Sequence, residues 1–312
     1  FRFIAAQAAN SGAEVVLLDI VPDGAEDRST IARGALDRFI RAGSTGGLMH
    51  PSVASRIRIG NVEDDFDLLA DCDWIIEVVV ERLDVKQGLY RKIAAIRRAD
   101  TIVSSNTSTI PLARLVEGLP QDFRQHFVVT HYFNPPRHMR LVELVTGEET
   151  LDDVVRRVIH FNDHCMGKTV IRCADRPGFI GNRLGVFWML LALREAAATG
   201  LTVEEADAVM CVCGFPKTGV FGLWDLVGID LMPSAAGSLL ALLPPDDDFA
   251  AVAELPATIQ GMLERGYKGR KGNTLQGFYR QFKDPDGKRV REVIDLDTLQ
   301  YRAPIKVDLP SA

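Results

Sequence analysis

Strand-like and helix-like runs alternate through the first half of the chain, and this alternation restricts the possible fold more than any other feature. Glu14–Asp19 (EVVLLD), Asp73–Val80 (DWIIEVVV), Thr101–Ser104 (TIVS) and Phe127–Thr130 (FVVT) are short and rich in β-branched residues, like buried parallel strands. Amphipathic runs at Arg28–Arg41, Asp84–Ala99 and Ile110–Glu117 lie between them. Strands alternating with helices predict an α/β fold, a Rossmann-type doubly wound parallel sheet. Leu141–Val145 and Thr169–Arg172 are two further apolar runs that extend this sheet or pair at its edge.

The pattern changes after Cys173. Asp175-Arg176-Pro177 introduces a long helix, with the proline suited to a first turn. Thr202, with Glu205 three residues later, is a candidate capping box for the next helix. Strand character returns only in the tail, at KRVREVIDL. The expected division is therefore a sheet domain over 1–172 and a helical domain over 173–312 with an extended tail. A length of 312 residues agrees with two domains, since single cores stop growing at about 250–300 residues.

The charge balance narrows the partners. Lys plus Arg is 36 against 42 for Asp plus Glu, a net charge of −6, which argues against nucleic acid. Five cysteines, an odd number, and no secretory signal predict reduced thiols in a cytoplasmic protein. Cys211 and Cys213 form a C-x-C with no second pair at zinc spacing, so no metal is expected. The apolar stretch from Phe179 to Ala198 is interrupted by Asn182, Arg183, Arg194 and Glu195. Its uninterrupted part falls well short of the roughly 20 residues a membrane span needs, so it reads as a buried core helix.

One expected feature is absent. A dinucleotide-binding sheet begins with a strand, a G-x-G-x-x-G turn and a helix. This chain starts with Phe1-Arg2-Phe3-Ile4-Ala5-Ala6-Gln7, which reads as that helix already under way. Asp19 falls where the ribose-binding acid belongs, about 20 residues past the expected turn. The first strand and glycine loop are thus expected to be missing from this sequence; the alternative is a different α/β fold.

Three groups of residues carry candidate chemistry. Asp19 ends a strand, where a carboxylate accepts ribose hydroxyls and repels a 2′-phosphate, favouring NAD over NADP; a cap or turn is the plainer reading. Ser104-Ser105-Asn106-Thr107-Ser108 follows another strand at the carboxyl edge, where such sheets bind ligands, although these residues also make ordinary caps. His131 ends FVVT and Glu143 lies 12 residues on inside LVELV, with Asn134-Pro135-Pro136 turning the chain between them. A carboxylate behind an imidazole fixes its tautomer and stabilises the imidazolium, which suits removal of a hydroxyl proton during hydride loss. The pattern alone also fits a surface histidine and an unrelated glutamate. Asn182 and Arg183 interrupt the apolar helix after Pro177-Gly178-Phe179-Ile180 and must face water or find partners.

The ordered blocks SSNTS, HYFNPPRHMRLVELV, DRPGFIGNRL and GFPKTGVFGLWDLVGID resemble the 3-hydroxyacyl-CoA dehydrogenase family over nearly the whole chain, to Gly277–Tyr279. The resemblance implies that His131 is the catalytic base, Glu143 its orienting partner, Ser108 a hydrogen-bond donor to the 3-oxygen and Asn182 a substrate-positioning residue. It implies NAD as cofactor, held by Asp19, Glu81, Lys86, Asn134 and, from GRKG, Lys271. It implies oxidation of a 3-hydroxyacyl-CoA to a 3-ketoacyl-CoA in fatty-acid β-oxidation, and a homodimer. The tail beyond Tyr279 resembles the multifunctional bacterial forms, so a fused or associated enoyl-CoA hydratase is expected and the chain reads as a piece of a longer protein. Two competing readings are another β-hydroxyacid dehydrogenase, a family that uses a lysine for acid–base work, and a non-catalytic module that keeps the fold.

Overall fold

A computed structural model of the chain describes residues 2–270 and 275–309. The chain divides into two compact units, 1–180 and 181–312.

In the first unit, helix α1 (Phe3–Asn10) leads to strand β1 (Val15–Asp19), helix α2 (Thr30–Gly46) and strand β2 (Ile57–Asn61). β3 (Trp74–Glu77), α3 (Leu83–Ile96), β4 (Ile102–Ser105), α4 (Leu112–Leu115), α5 (Gln121–Gln125) and β5 (Phe127–Tyr132) follow. β6 (Leu141–Thr146), α6 (Asp152–His160) and β7 (Thr169–Cys173) complete the unit. Every residue of β4 and of β5 is buried, as expected of central strands covered on both faces. α6 places Asp152 and Asp153 in its first turn and Arg157 and His160 in its last, matching the helix dipole, and buries Val154, Val155 and Val158.

The strands form a parallel β1–β2 pair and a five-stranded sheet in the order β3-β4-β5-β6-β7. β3, β4 and β5 run parallel; β6 is antiparallel to β5 and parallel to β7. β2 is the strand that the sequence pattern does not announce: IRIGN lacks a β-branched run and exposes Arg58. Among the described residues β1 pairs only with β2, and β3 only with β4. A cleft of about 730 Å³ separates them, walled by Val15 and Leu17 on one side, Trp74 and Ile76 on the other, with Ala8 and Ile93 from the helices.

The boundary lies after Ile180 rather than at 172–173, because the intervening segment is bonded into the first unit. Leu112 N donates to Asp175 and Ile180 N to Glu143. For the same reason Pro177 sits in a turn before the long helix, not in its first turn as its spacing suggested.

The second unit runs through α7 (Gly181–Thr199), α8 (Val203–Val212), α9 (Gly219–Val227), α10 (Met232–Leu242) and α11 (Ala257–Glu264). The Thr202–Glu205 capping box starts α8 as its spacing predicts. α7 buries Met189, Leu190, Leu193 and Ala196 on one stripe against a core that includes Phe221, Trp224 and Phe278. An antiparallel sheet of β8 (Tyr279–Lys283), β9 (Arg289–Ile294) and β10 (Tyr301–Arg302) follows the helices, and KRVREVIDL supplies its central strand. Among the described residues no single helix is long and apolar enough to cross a membrane.

Candidate active site

The antiparallel pairing of β5 and β6 sets His131 directly opposite Glu143. Residues directly opposite in an antiparallel pair project to the same face, so strand register alone brings together two groups 12 residues apart. His131 Nδ1 lies 2.7 Å from Glu143 Oε2, with the histidine 5% and the glutamate 0% exposed. A carboxylate beside Nδ1 fixes the proton there and leaves Nε2 as the ring nitrogen able to accept one. Glu143 Oε1 also accepts from Ile180 N at 2.9 Å, and the Cys173 thiol lies 3.8 Å away. Burial and the neighbouring Glu143 push that thiol up to about 11, so it stays protonated near neutrality.

Two aromatic rings flank the imidazole, Phe133 at 4.7 Å and Phe179 at 5.8 Å between centroids. Phe179 has φ +47°, a left-handed conformation disfavoured for a bulky residue. That backbone points the next amide, Ile180 N, at Glu143 while its ring packs beside His131. Such backbone strain is concentrated where a site is held rigid. Sequence reasoning missed Phe179, because a non-glycine residue at positive φ leaves no compositional signal.

The turn after β4 is fixed to both of its neighbours. Asn106 N donates to the Glu77 carbonyl, and Asn106 Oδ1 accepts from Tyr132 N at 3.0 Å, one residue past the histidine. Thr107 Oγ1 donates to Glu81 and caps the turn by accepting from Thr109 N and Ile110 N. Ser108 follows in this turn, half-buried.

The residues expected at a dinucleotide are dispersed along the carboxyl edge. Asp19 ends β1; Arg2 Nε lies 2.5 Å from its Oδ2, and Ile20 N donates to its Oδ1. A carboxylate offers about four acceptor sites, so Asp19 retains capacity for a ribose diol. Glu81 follows β3 with its side chain 39% exposed. Burial pushes its carboxyl up, but hydrogen bonds from Thr107, Thr109 and Lys86 outweigh this and hold it below the usual carboxylate range. Lys86, by contrast, is 1% exposed and locked between Glu77 at 2.7 Å and Glu81 at 3.3 Å. Asn134 is exposed and joined to Pro135 by a cis peptide bond. In the second unit Asn182 stands in the first turn of α7, half-buried, and Arg183 pairs with Asp247. Lys271 lies outside the described residues.

A buried histidine–carboxylate pair on a mostly parallel sheet, with acids at the strand ends fit for a ribose, is the equipment of a nicotinamide-dependent dehydrogenase acting on an alcohol. The chain belongs to the 3-hydroxyacyl-CoA dehydrogenase family, whose members are NAD-dependent oxidoreductases. Residues 2–176 match the family's NAD binding domain and residues 178–281 its C-terminal domain. A putative fatty acid oxidation complex trifunctional enzyme of Rickettsia felis is 41% identical over 98% of this chain and 42% of its own length. A probable 3-hydroxyacyl-CoA dehydrogenase of Deinococcus radiodurans is 36% identical over 90% of this chain and 80% of its own. The solved 3-hydroxybutyryl-CoA dehydrogenase of Escherichia coli K12 is similar with a TM-score of 0.72 at 28% identity, covering 86% of this chain and 55% of that one. The chain thus spans about two fifths of the length of the trifunctional relatives that it matches.

Proposed function

We propose that this chain oxidises (S)-3-hydroxyacyl-CoA to 3-ketoacyl-CoA in fatty-acid β-oxidation, with His131 as general base oriented by Glu143. The 2.7 Å contact between these two buried groups is the observation that carries the reading. Nε2 of His131 takes the proton of the 3-hydroxyl as the C3–O bond becomes a carbonyl. NAD, when bound, accepts the hydride that leaves C3. Glu143 balances the charge growing on the imidazolium, and the flanking Phe133 and Phe179 rings keep water from that exchange. In this reading Ser108 donates a hydrogen bond to the 3-oxygen and Asn182 positions the substrate. Asp19 and Glu81 receive ribose hydroxyls of the dinucleotide, with Asn134 and Lys271 completing its site. Lys86 acts at one remove, because its charge is spent on Glu77 and Glu81.

The cleft between β1 and β3 supports the expectation that one further strand, leading to a glycine turn, belongs in this sheet. The trifunctional name of the Rickettsia relative supports a fused or associated enoyl-CoA hydratase. A homodimer and a cytoplasmic setting complete the proposal.

The deciding assay follows NADH consumption with acetoacetyl-CoA and, separately, with free acetoacetate. The expected result is turnover of the thioester and little of the free acid. Equal or better turnover of the free acid would favour another β-hydroxyacid dehydrogenase, and NADH binding without any turnover would favour a non-catalytic module.

A further inference from the structure

We infer that Glu77, at the end of β3, is a positioning residue that holds the cofactor-facing turns of the first unit in register. This rests on the NAD reading above. Glu77 is 3% exposed, and its carboxylate accepts four hydrogen bonds. Oε1 takes Lys86 Nζ at 2.7 Å and Val79 N at 2.7 Å. Oε2 takes Tyr90 OH at 2.5 Å and Ser105 Oγ at 2.7 Å. Four donors fill the acceptor capacity of a carboxylate. These donors come from separate places: α3 supplies Lys86 and Tyr90, the turn after β3 supplies Val79, and the end of β4 supplies Ser105.

The connections close into a ring. Lys86 Nζ reaches Glu81 at 3.3 Å, Glu81 accepts from Thr107 Oγ1, Thr107 N donates to Ser105 Oγ, and Ser105 returns to Glu77. A branch leaves through Asn106, which bonds the Glu77 carbonyl and accepts from Tyr132 N beside the catalytic histidine. Burial together with Glu77 pushes the Tyr90 hydroxyl well above its usual range, so it remains a donor. A buried Glu–Lys pair is seldom the most stable filling for a core, because desolvating two ions offsets most of their attraction. What the pair does provide is fixed geometry for Glu81 and the 105–109 turn, the groups proposed to meet the dinucleotide and the 3-oxygen.

The test compares the unmutated chain, Glu77→Gln and the double variant Glu77→Gln/Lys86→Met. The readouts are NADH affinity by fluorescence, thermal midpoint, and amide hydrogen exchange at residues 105–109. Glu77→Gln leaves the buried Lys86 ammonium without its carboxylate charge and replaces one acceptor oxygen by an NH2, so NADH affinity falls roughly ten- to a hundredfold and exchange at 105–109 accelerates. The double variant removes both buried charges and regains much of the thermal midpoint, yet keeps the weak NADH affinity. Unchanged NADH affinity in Glu77→Gln overturns the inference, and so does a double variant that recovers affinity together with stability. Should the unmutated chain bind no NADH, the NAD reading fails by itself. The exchange comparison then decides alone: faster exchange at 105–109 in Glu77→Gln upholds the positioning role, and equal exchange overturns it.

Discussion

At the scale of single residues, the site depends on where protons can sit. With Nδ1 of His131 committed to Glu143, Nε2 is the ring nitrogen left to accept a proton, the role proposed for it toward a substrate hydroxyl. Replacing the carboxylate by an amide keeps the shape but removes the charge that stabilises the imidazolium. Glu143→Gln is therefore expected to lower kcat by roughly 10²–10⁴-fold while NADH affinity changes little. Steady-state kinetics beside a binding titration check this, and a parallel loss of NADH binding would mean that Glu143 acts by holding the fold instead. The histidine and glutamate were legible in the sequence as candidates because each ends or interrupts an apolar run. Their partnership was legible as one of two options, from the chain turn at Asn134-Pro135-Pro136, and more sharply from the family resemblance. The antiparallel register that sets them opposite is encoded by no local pattern. Glu77 was overlooked within DWIIEVVV, although a charge inside an apolar strand signals a buried polar group that must find partners.

At the scale of elements, the helical unit carries its own polar centre. The fully buried Asp225 on α9 accepts from Phe278 N and Tyr279 N, each at 2.8 Å, and so ties the start of β8 to the helix. Asp207 on α8 accepts from Phe221 N and from Tyr279 OH at 2.7 Å beside it. Burial pushes Asp225 up to about 7, the backbone donors and Arg270 resist this, and Asp207 adds to it. A carboxyl whose folded value lies above its unfolded one favours folding when protonated, and that contribution disappears as pH rises through the folded value. The second unit should therefore lose up to about 4 kcal/mol of stability from this group between pH near 4 and pH above 7. Urea unfolding at pH 5.5 and 8.5 should show the drop in the unmutated chain and a flatter response in Asp225→Asn. An identical pH response in the two would contradict the assignment. α2, α3, α4 and the buried strands were legible from periodicity and β-branched runs, as was the capping box at Thr202; α5, α6, α9, α10 and α11 were not singled out. β2 was not, because a short strand with an exposed arginine has neither signature. Nor was the turn at Pro177, where proline satisfies a turn as well as a helix start.

At the scale of the whole molecule, the inner edges of β1 and β3, unpaired among the described residues, bound a largely apolar cleft of about 730 Å³. Unpaired strand edges are templates for a further strand. A short apolar peptide ending in Gly-x-Gly-x-x-Gly should therefore raise the thermal midpoint of the first unit with the logarithm of its concentration above Kd and strengthen NADH binding. A midpoint indifferent to the peptide would show that this cleft does not take a strand. The alternation of strands and helices was enough to read the Rossmann-type class. The absent glycine turn with the place of Asp19 led to the expectation of a missing strand; where in the sheet it would lie was not legible.

The most direct test of the account is NADH oxidation by acetoacetyl-CoA, followed for the unmutated chain and for His131→Gln under conditions where both bind NADH equally. The account predicts turnover in the first and a loss of roughly 10²–10⁴-fold in the second. Turnover that survives unchanged in His131→Gln would place the base elsewhere and contradict the central role given to the pair on β5 and β6.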